Sequence, residues 1–415
     1  MVARARLARG WALDRLGRLQ EATADFLKAK DMFAQAGDTE GVARALNDLG
    51  GALYDKGDLA GARKMYEDSL SVSRRSGDRR GVASTLNSIA NVLYEQGNLA
   101  AAKTIYEQAL PIQREIGSKD GIAGTLGNIA NVLDGQGDLA GARSMHEEAL
   151  KNFSDVADKR GMASTLDNLG LVLYEQGDLA GAKAFYEQAL KIDLETGYRR
   201  GRAYVLSGLA SIALAQGDIA EARKAEQEAL AMRTEMGDEL KVASSRASLA
   251  SIALEEGRPA DAEPLLRQAM EVFGKAKSTD NEAGAGAALA RSLIAQAKTA
   301  EAMAAIQRAT ALLSRTSEFP VRFEVALAAA HVQTALGRPA ALADAKKRLE
   351  STLALAIQHG YLGYEYEMRL ALGEIEEKSG AGTEGRARLS AVANEAAAKG
   401  FSLVARKATQ LKNAQ

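Results

Sequence analysis

The chain has 415 residues, 47% of them hydrophobic and 26% charged, with 53 basic side chains against 54 acidic ones. Such a chain buries enough apolar surface to fold in water, and its formal net charge of −1 gives no electrostatic reason to expect nucleic acid or a membrane surface as partner. Cysteine is absent, which excludes disulfides, thiolate nucleophiles and cysteine-ligated zinc.

The chain opens on MVARARLARGW, which is basic but lacks an apolar stretch behind it and so does not read as a signal peptide. No apolar run approaches the ~18 residues of a membrane helix. A cytoplasmic location is the expectation. From Met1 on, a block of about 40 residues recurs, Val2-Ala3-Arg4 returning as Val42-Ala43-Arg44. It is clearest in Gly81–Leu110, Gly121–Leu150 and Gly161–Leu190. A fixed period in this range marks stacked supersecondary units, not one closed globule.

Within the block Gly81–Asp120, Leu86, Ile89, Ala90 and Leu93 fall on one helical stripe. Gly97 ends that helix, since glycine takes the left-handed C-cap conformation without a Cβ clash. Asn98 then reads as the N-cap of a second helix carrying Ala102, Tyr106, Ala109 and Leu110. Each block is therefore an antiparallel helix pair whose short stripes can be buried only by stacking on neighbours. The turn glycine recurs at Gly17, Gly57, Gly97, Gly137, Gly177, Gly217, Gly257 and Gly337, with Ala297 as the gap. A small residue recurs on the second helix from Ala22 through Ala62, Ala102 and Ala142 to Ala302, marking where helices should approach most closely. Past Asp280 the code weakens: residues 281–310 are alanine-rich and Gly286 replaces a stripe leucine. Phe319-Pro320 marks a boundary. Val321–His359 and Tyr361–Lys399 read as two further pairs, and Phe401–Leu411 as a terminal helix.

Leu46, Leu49, Gly50 and Leu53 followed by Ala62, Tyr66 and Ser69, and again Leu86, Ile89, Ala90 and Leu93 followed by Ala102, Tyr106 and Ala109, resemble the tetratricopeptide repeat. The repeat is longer than the usual ~34 residues and lacks the common proline near its end. In both respects it is similar to the longer-repeat subgroup of kinesin light chains, adaptors with Leu-Gly-Asn repeats and bacterial signalling arrays. The resemblance implies an all-α right-handed solenoid, with a tandem array of about eight helix pairs over 1–320 and divergent pairs with a capping helix over 321–415. It also implies a protein or peptide partner and no enzymatic activity. Two alternatives stay open: a regulatory or sensory region of a larger bacterial protein whose effector domain lies upstream, and a self-assembling stack associating through its N-terminal unit.

Opposite the apolar stripe of the first helix lie Ser84, Asn87, Ser88, Asn91, Tyr94 and Glu95. The resemblance places this face in the concave groove. A row of carboxamides there offers paired donors and acceptors at repeated intervals, suited to an extended peptide backbone, and tyrosines add apolar contact with a polar tip. The candidate peptide-binding residues are Asn47, Asn87, Asn91, Asn128, Asn131 and Asn168 with Tyr54, Tyr94 and Tyr174. A second ladder, Arg79-Arg80, Lys119, Lys159-Arg160 and Arg199-Arg200, would line one edge as a basic rim or serve as ordinary surface. No catalytic residue, metal site or cofactor is expected. His146 stands where other blocks carry the packing tyrosine, and His331 and His359 have no partner at ligand spacing. Gly380-Ala-Gly382-Thr-Glu-Gly385 matches a dinucleotide fingerprint in letters, but a helix precedes it where that motif needs a strand.

Overall fold

The computed structural model describes residues 1–316 and 318–413, with Arg15 given by its backbone alone. Those residues form 21 α-helices and one short 3₁₀ turn, with no strand among them. The first helix of successive pairs begins at Thr39, Arg79, Lys119, Lys159, Arg199, Glu239 and Thr279, so the register never slips. Sixteen helices, α1 (Val2–Arg15) to α16 (Thr299–Leu312), make eight pairs. They are followed by α17 (Phe319–Leu336), α18 (Pro339–His359), α19 (Leu362–Lys378), α20 (Gly382–Ala398) and α21 (Ser402–Asn413). The glycine-rich stretch at 380–385 is the turn between α19 and the first residues of α20.

Local chemistry explains the repeated boundaries. Asp58 Oδ1 accepts from Gly61 N at 2.9 Å, and Asp78, Asn98, Asp138 and Asp178 cap in the same way. At the other end the turn residue is left-handed, with Gly97 at φ 74°. Ala297, the gap in the glycine series, is held at φ 59° by the same turn. The register is thus strong enough to impose a conformation that costs an alanine about 1–2 kcal/mol.

The small-residue series does mark close approach. Ala22, Ala62, Ala102, Ala142, Ala182, Ala222, Ala262 and Ala302 are all 0% exposed. A Cβ built on Gly50 would sit 2.5 Å from the Tyr66 ring, and one on Gly170 would sit 2.7 Å from Tyr186. His146 occupies that aromatic position in its own block and is buried, with its imidazole pushed down to about 4 by desolvation. It is a packing residue.

The chain divides into two compact units, Met1–Leu133 with Ser144–Asp158, and Asp134–Arg143 with Lys159–Gln415. The last two residues of the second lie outside the described ones. In the first unit the turns at Gly57 and Gly97 are open, and a Cβ there would meet nothing within 4 Å. In the second unit the C-terminal helices return onto the turns of earlier repeats. His359 Nδ1 lies 3.1 Å from Gly137 O, and the Tyr361 hydroxyl points to Asp134 O at 3.5 Å. Leu362 covers Gly177, where an added Cβ would fall 2.5 Å from its side chain, and Leu403 and Arg406 of α21 lie over Gly217. Phe319, at the start of α17, stacks on His359 with ring centroids 4.3 Å apart, and Phe323 meets Tyr361 edge-on at 5.3 Å. Lys407 of α21 pairs with Glu255, which Arg291 also holds at 3.1 Å.

Candidate functional site

The first helices of the repeats in the first unit, α3 (Thr39–Asp55), α5 (Arg79–Glu95) and α7 (Lys119–Gly135), carry the asparagine rows. Burial of Leu86, Ile89, Ala90 and Leu93 fixes the rotation of α5. That rotation leaves Asn87, Ser88, Asn91 and Tyr94 half-buried and Glu95 exposed. A cavity of about 240 Å³ opens among Tyr54, Asn91, Tyr94, Glu95, Tyr106, Asn128 and Asn131. Five of the nine candidate residues therefore share one depression.

The asparagines do different work. The Asn47 carboxamide accepts from Thr85 Oγ1 at 3.4 Å, and that of Asn87 bonds Thr125 Oγ1 at 2.8 Å. Thr85 and Thr125 are buried, so these two asparagines tie one repeat to the next. Asn91 Oδ1 accepts from the Tyr106 hydroxyl and, at 3.3 Å, from Asn128 Nδ2. Its acceptor is thereby saturated, and Asn91 serves as a keystone of the pocket wall. Asn128, having spent an amide hydrogen on Asn91, keeps its Oδ1 as an acceptor. Asn131 lines the cavity half-buried, and among the described residues its side chain makes no hydrogen bond. Tyr106, a packing residue in the sequence pattern, reaches the cavity with its hydroxyl, because Asn91 lies within its reach on the partner helix. The Tyr54 hydroxyl is pushed well up, by burial first and then by the carboxylate of Glu95, to which it hydrogen-bonds.

Asn168 and Tyr174 lie on α9 (Lys159–Glu175) in the second unit and do not join this cavity. Tyr174 is surrounded by Glu175, Glu324 and Glu367, and its hydroxyl is pushed up by burial and by those charges. Where α17 begins, Asp134, Glu175 and Glu318 crowd together. Burial, then Asp280 and Asp134, raise the Glu318 carboxyl to about 7, and burial with Asp134 holds Glu175 well above the usual carboxylate range.

The basic rim is a ladder of ion pairs. Lys119 meets Asp155 at 2.6 Å and Lys159 meets Glu195 at 2.9 Å, while Arg79 pairs with Glu115 and Arg199 with Glu235. Each of these four bases, at the start of a pair's first helix, is answered by an acid at the end of the same pair's second helix. Arg160 additionally lies over the Tyr198 ring, 4.3 Å from its centroid. Sequence reasoning also missed a buried pair: Glu226, at the aromatic position of its block, lies 3.3 Å from Arg233, which bonds Ser245 at 2.6 Å.

Stacked helix pairs with a small-residue code and an exposed first-helix face define an interaction-scaffold class of α-solenoid. The tetratricopeptide repeat model matches residues 3–35 and, in overlapping pairs of repeats, 41–275, and the chain belongs to the tetratricopeptide repeat family. The match stops short of α15 (Thr279–Ala295) and α16, whose helices keep the geometry after the alanine-rich sequence has lost the signature. Among solved structures, the apo form of RapI superposes with a TM-score of 0.56 at 16% identity, over 67% of this chain and 100% of that one. A Rap protein complexed with competence and sporulation factor gives a TM-score of 0.47 at 16% identity, over 72% and 99%. A putative kinesin light chain from Podosopora anserina with nearly identical TPR-like repeats gives 0.40 at 15% identity, over 47% and 96%. No curated protein matches the chain. No helix among the described residues is long and apolar enough to cross a membrane.

Proposed function

We propose that this chain is a protein-interaction scaffold that holds an extended partner segment along the first-helix face of its first unit. The observation that carries this reading is the cavity in which Asn128 and Asn131 present carboxamide groups beside Tyr54 and Tyr94. Carboxamides one turn apart on the same helix offer donors and acceptors to the alternating N–H and C=O groups of an extended backbone. Tyrosines supply contact area at low entropic cost. The family membership and the family's general use in protein–protein association support the reading.

Its test is a paired capture from the source cell's lysate, using the native chain and a chain carrying Asn128→Ala and Asn131→Ala. Asn91 is left intact because Tyr106 depends on it. A partner retained by the native chain and lost from the variant, at equal helicity, is the expected result. An identical set of partners on both baits would sink the proposal.

A further inference from the structure

The cavity is too small for a typical cofactor or drug-sized ligand, whose sites run from about 300 Å³ upward, and at about 240 Å³ it suits one long side chain. Its lining holds three tyrosines, three asparagines and one carboxylate, and no basic residue. An aliphatic occupant would strip water from these polar groups without replacing their hydrogen bonds, which costs roughly 1–3 kcal/mol for each unpaired group. An acidic occupant would meet Glu95 with no cation to answer it.

The surrounding face has the same sign. Asp48, Asp55 and Asp14 face each other across α1 and α3 closely enough that Asp14 raises both of the others. Against them stands Arg44, the basic group acting on Asp48. The Trp11 indole bonds Asp48, whose carboxyl is nevertheless pushed up to about 6 by burial.

The pocket's remaining acceptor capacity lies on the Glu95 carboxylate, which takes one bond from the Tyr54 hydroxyl and has lone pairs to spare, and on Asn128 Oδ1, with tyrosines around them. A guanidinium or ammonium group brings donors only and is also attracted to aromatic faces. We propose that this pocket seats an arginine or lysine side chain of the partner segment, with Glu95 as its charge partner and Tyr54, Tyr94 and Tyr106 as the surrounding wall. The inference rests on the groove reading above and names the chemistry of its occupant. Arginine fits better than lysine, because a planar fork can reach a carboxylate and a neighbouring carbonyl together.

The experiment is a selection of displayed random dodecapeptides on the native chain, followed by anisotropy titration of synthetic versions. Selected peptides should share an arginine or lysine. Replacing that arginine by citrulline, which keeps the shape and removes the charge, should weaken binding to the native chain about tenfold or more. Against Glu95→Gln, whose side chain is exposed and whose helicity is checked against the native chain, the two peptides should bind within about twofold of each other. Selected peptides without a basic residue, or equal binding of the arginine and citrulline forms to the native chain, would overturn the inference and leave the groove standing. Peptides that bind Asn128→Ala/Asn131→Ala as well as native, or a selection that yields no binder, would remove the groove reading and the inference with it.

Discussion

The two units carry the same repeat and use its turns differently. In the first, the turns at Gly57 and Gly97 face open space, and the adjoining first-helix face holds an asparagine–tyrosine cavity. In the second, the equivalent turns at Gly137 and Gly177 are buried under His359, Phe319 and Leu362, and Tyr174 sits among carboxylates from α17 and α19. One sequence code therefore yields an accessible face in one place and a self-covered edge in another. The difference comes from residues far along the chain, His359 lying 222 positions beyond Gly137, and not from the repeats themselves.

The sharpest way to break this contrast is to remove the cover. Tyr361 is 1% exposed and packs against Phe319 and Phe323. Tyr361→Ala should cost about 3–5 kcal/mol, as expected for a large buried ring. Hydrogen exchange should then quicken at the turns around Gly137 and Gly177 and stay unchanged at those around Gly57 and Gly97. Uniform quickening would mean that the cover is no local device.

A pH comparison comes next in size. His146, in the first unit, has a folded value near 4 against about 6.5 unfolded. Between those values the unfolded chain binds the extra proton, so stability is complete above about 6.5 and is lost as pH falls toward 4. The repeat pattern itself offers the control, since Tyr106 fills the equivalent place in the preceding block and Tyr186 in the following one. His146→Tyr should remove a loss of roughly 3 kcal/mol at pH 4, read from denaturant midpoints of both proteins at pH 4 and 7. A pH dependence that survives the substitution unchanged would show that another group carries it.

The mildest test compares two glycines directly. Both Gly97→Ala and Gly177→Ala force an alanine into the left-handed region, at about 1–2 kcal/mol each. Only Gly177→Ala also drives a Cβ into Leu362, 2.5 Å away. It should be the more destabilising of the two by about 1–3 kcal/mol, typical of an overpacked contact. Equal costs would argue against the covering of Gly177.

Much of the fold was legible in the sequence because each boundary has a local cause. Asp58 and Asn98 start helices with their own side chains, Gly97 ends one with its own backbone, and Ala62 and Ala102 mark contacts that only a small residue permits. The face of α5 followed from helical geometry once its leucines were assigned to the core. The site was only partly legible. The asparagines form a row on paper, yet Asn47 and Asn87 are consumed by Thr85 and Thr125 of the next block, and Asn91 by Tyr106. Those partners lie 15 to 38 residues away, and nothing in a residue's own neighbourhood says which carboxamide will be spent on them. Four bases of the rim, Arg79, Lys119, Lys159 and Arg199, are spent in the same fashion, on acids 36 residues on.

By itself the sequence determined the helix pair, its period, the stacking code and the first-helix face left out of the apolar stripe, because these depend on interactions within one block or between identical neighbours. The tertiary structure decided which asparagines are spent on neighbouring side chains and that a single carboxylate sits among the tyrosines of the cavity. It also decided that α17–α21 return to cover the turns at Gly137 and Gly177. These outcomes depend on side chains brought together from the partner helix, from the adjacent block and from helices far along the chain, a juxtaposition that no single block encodes.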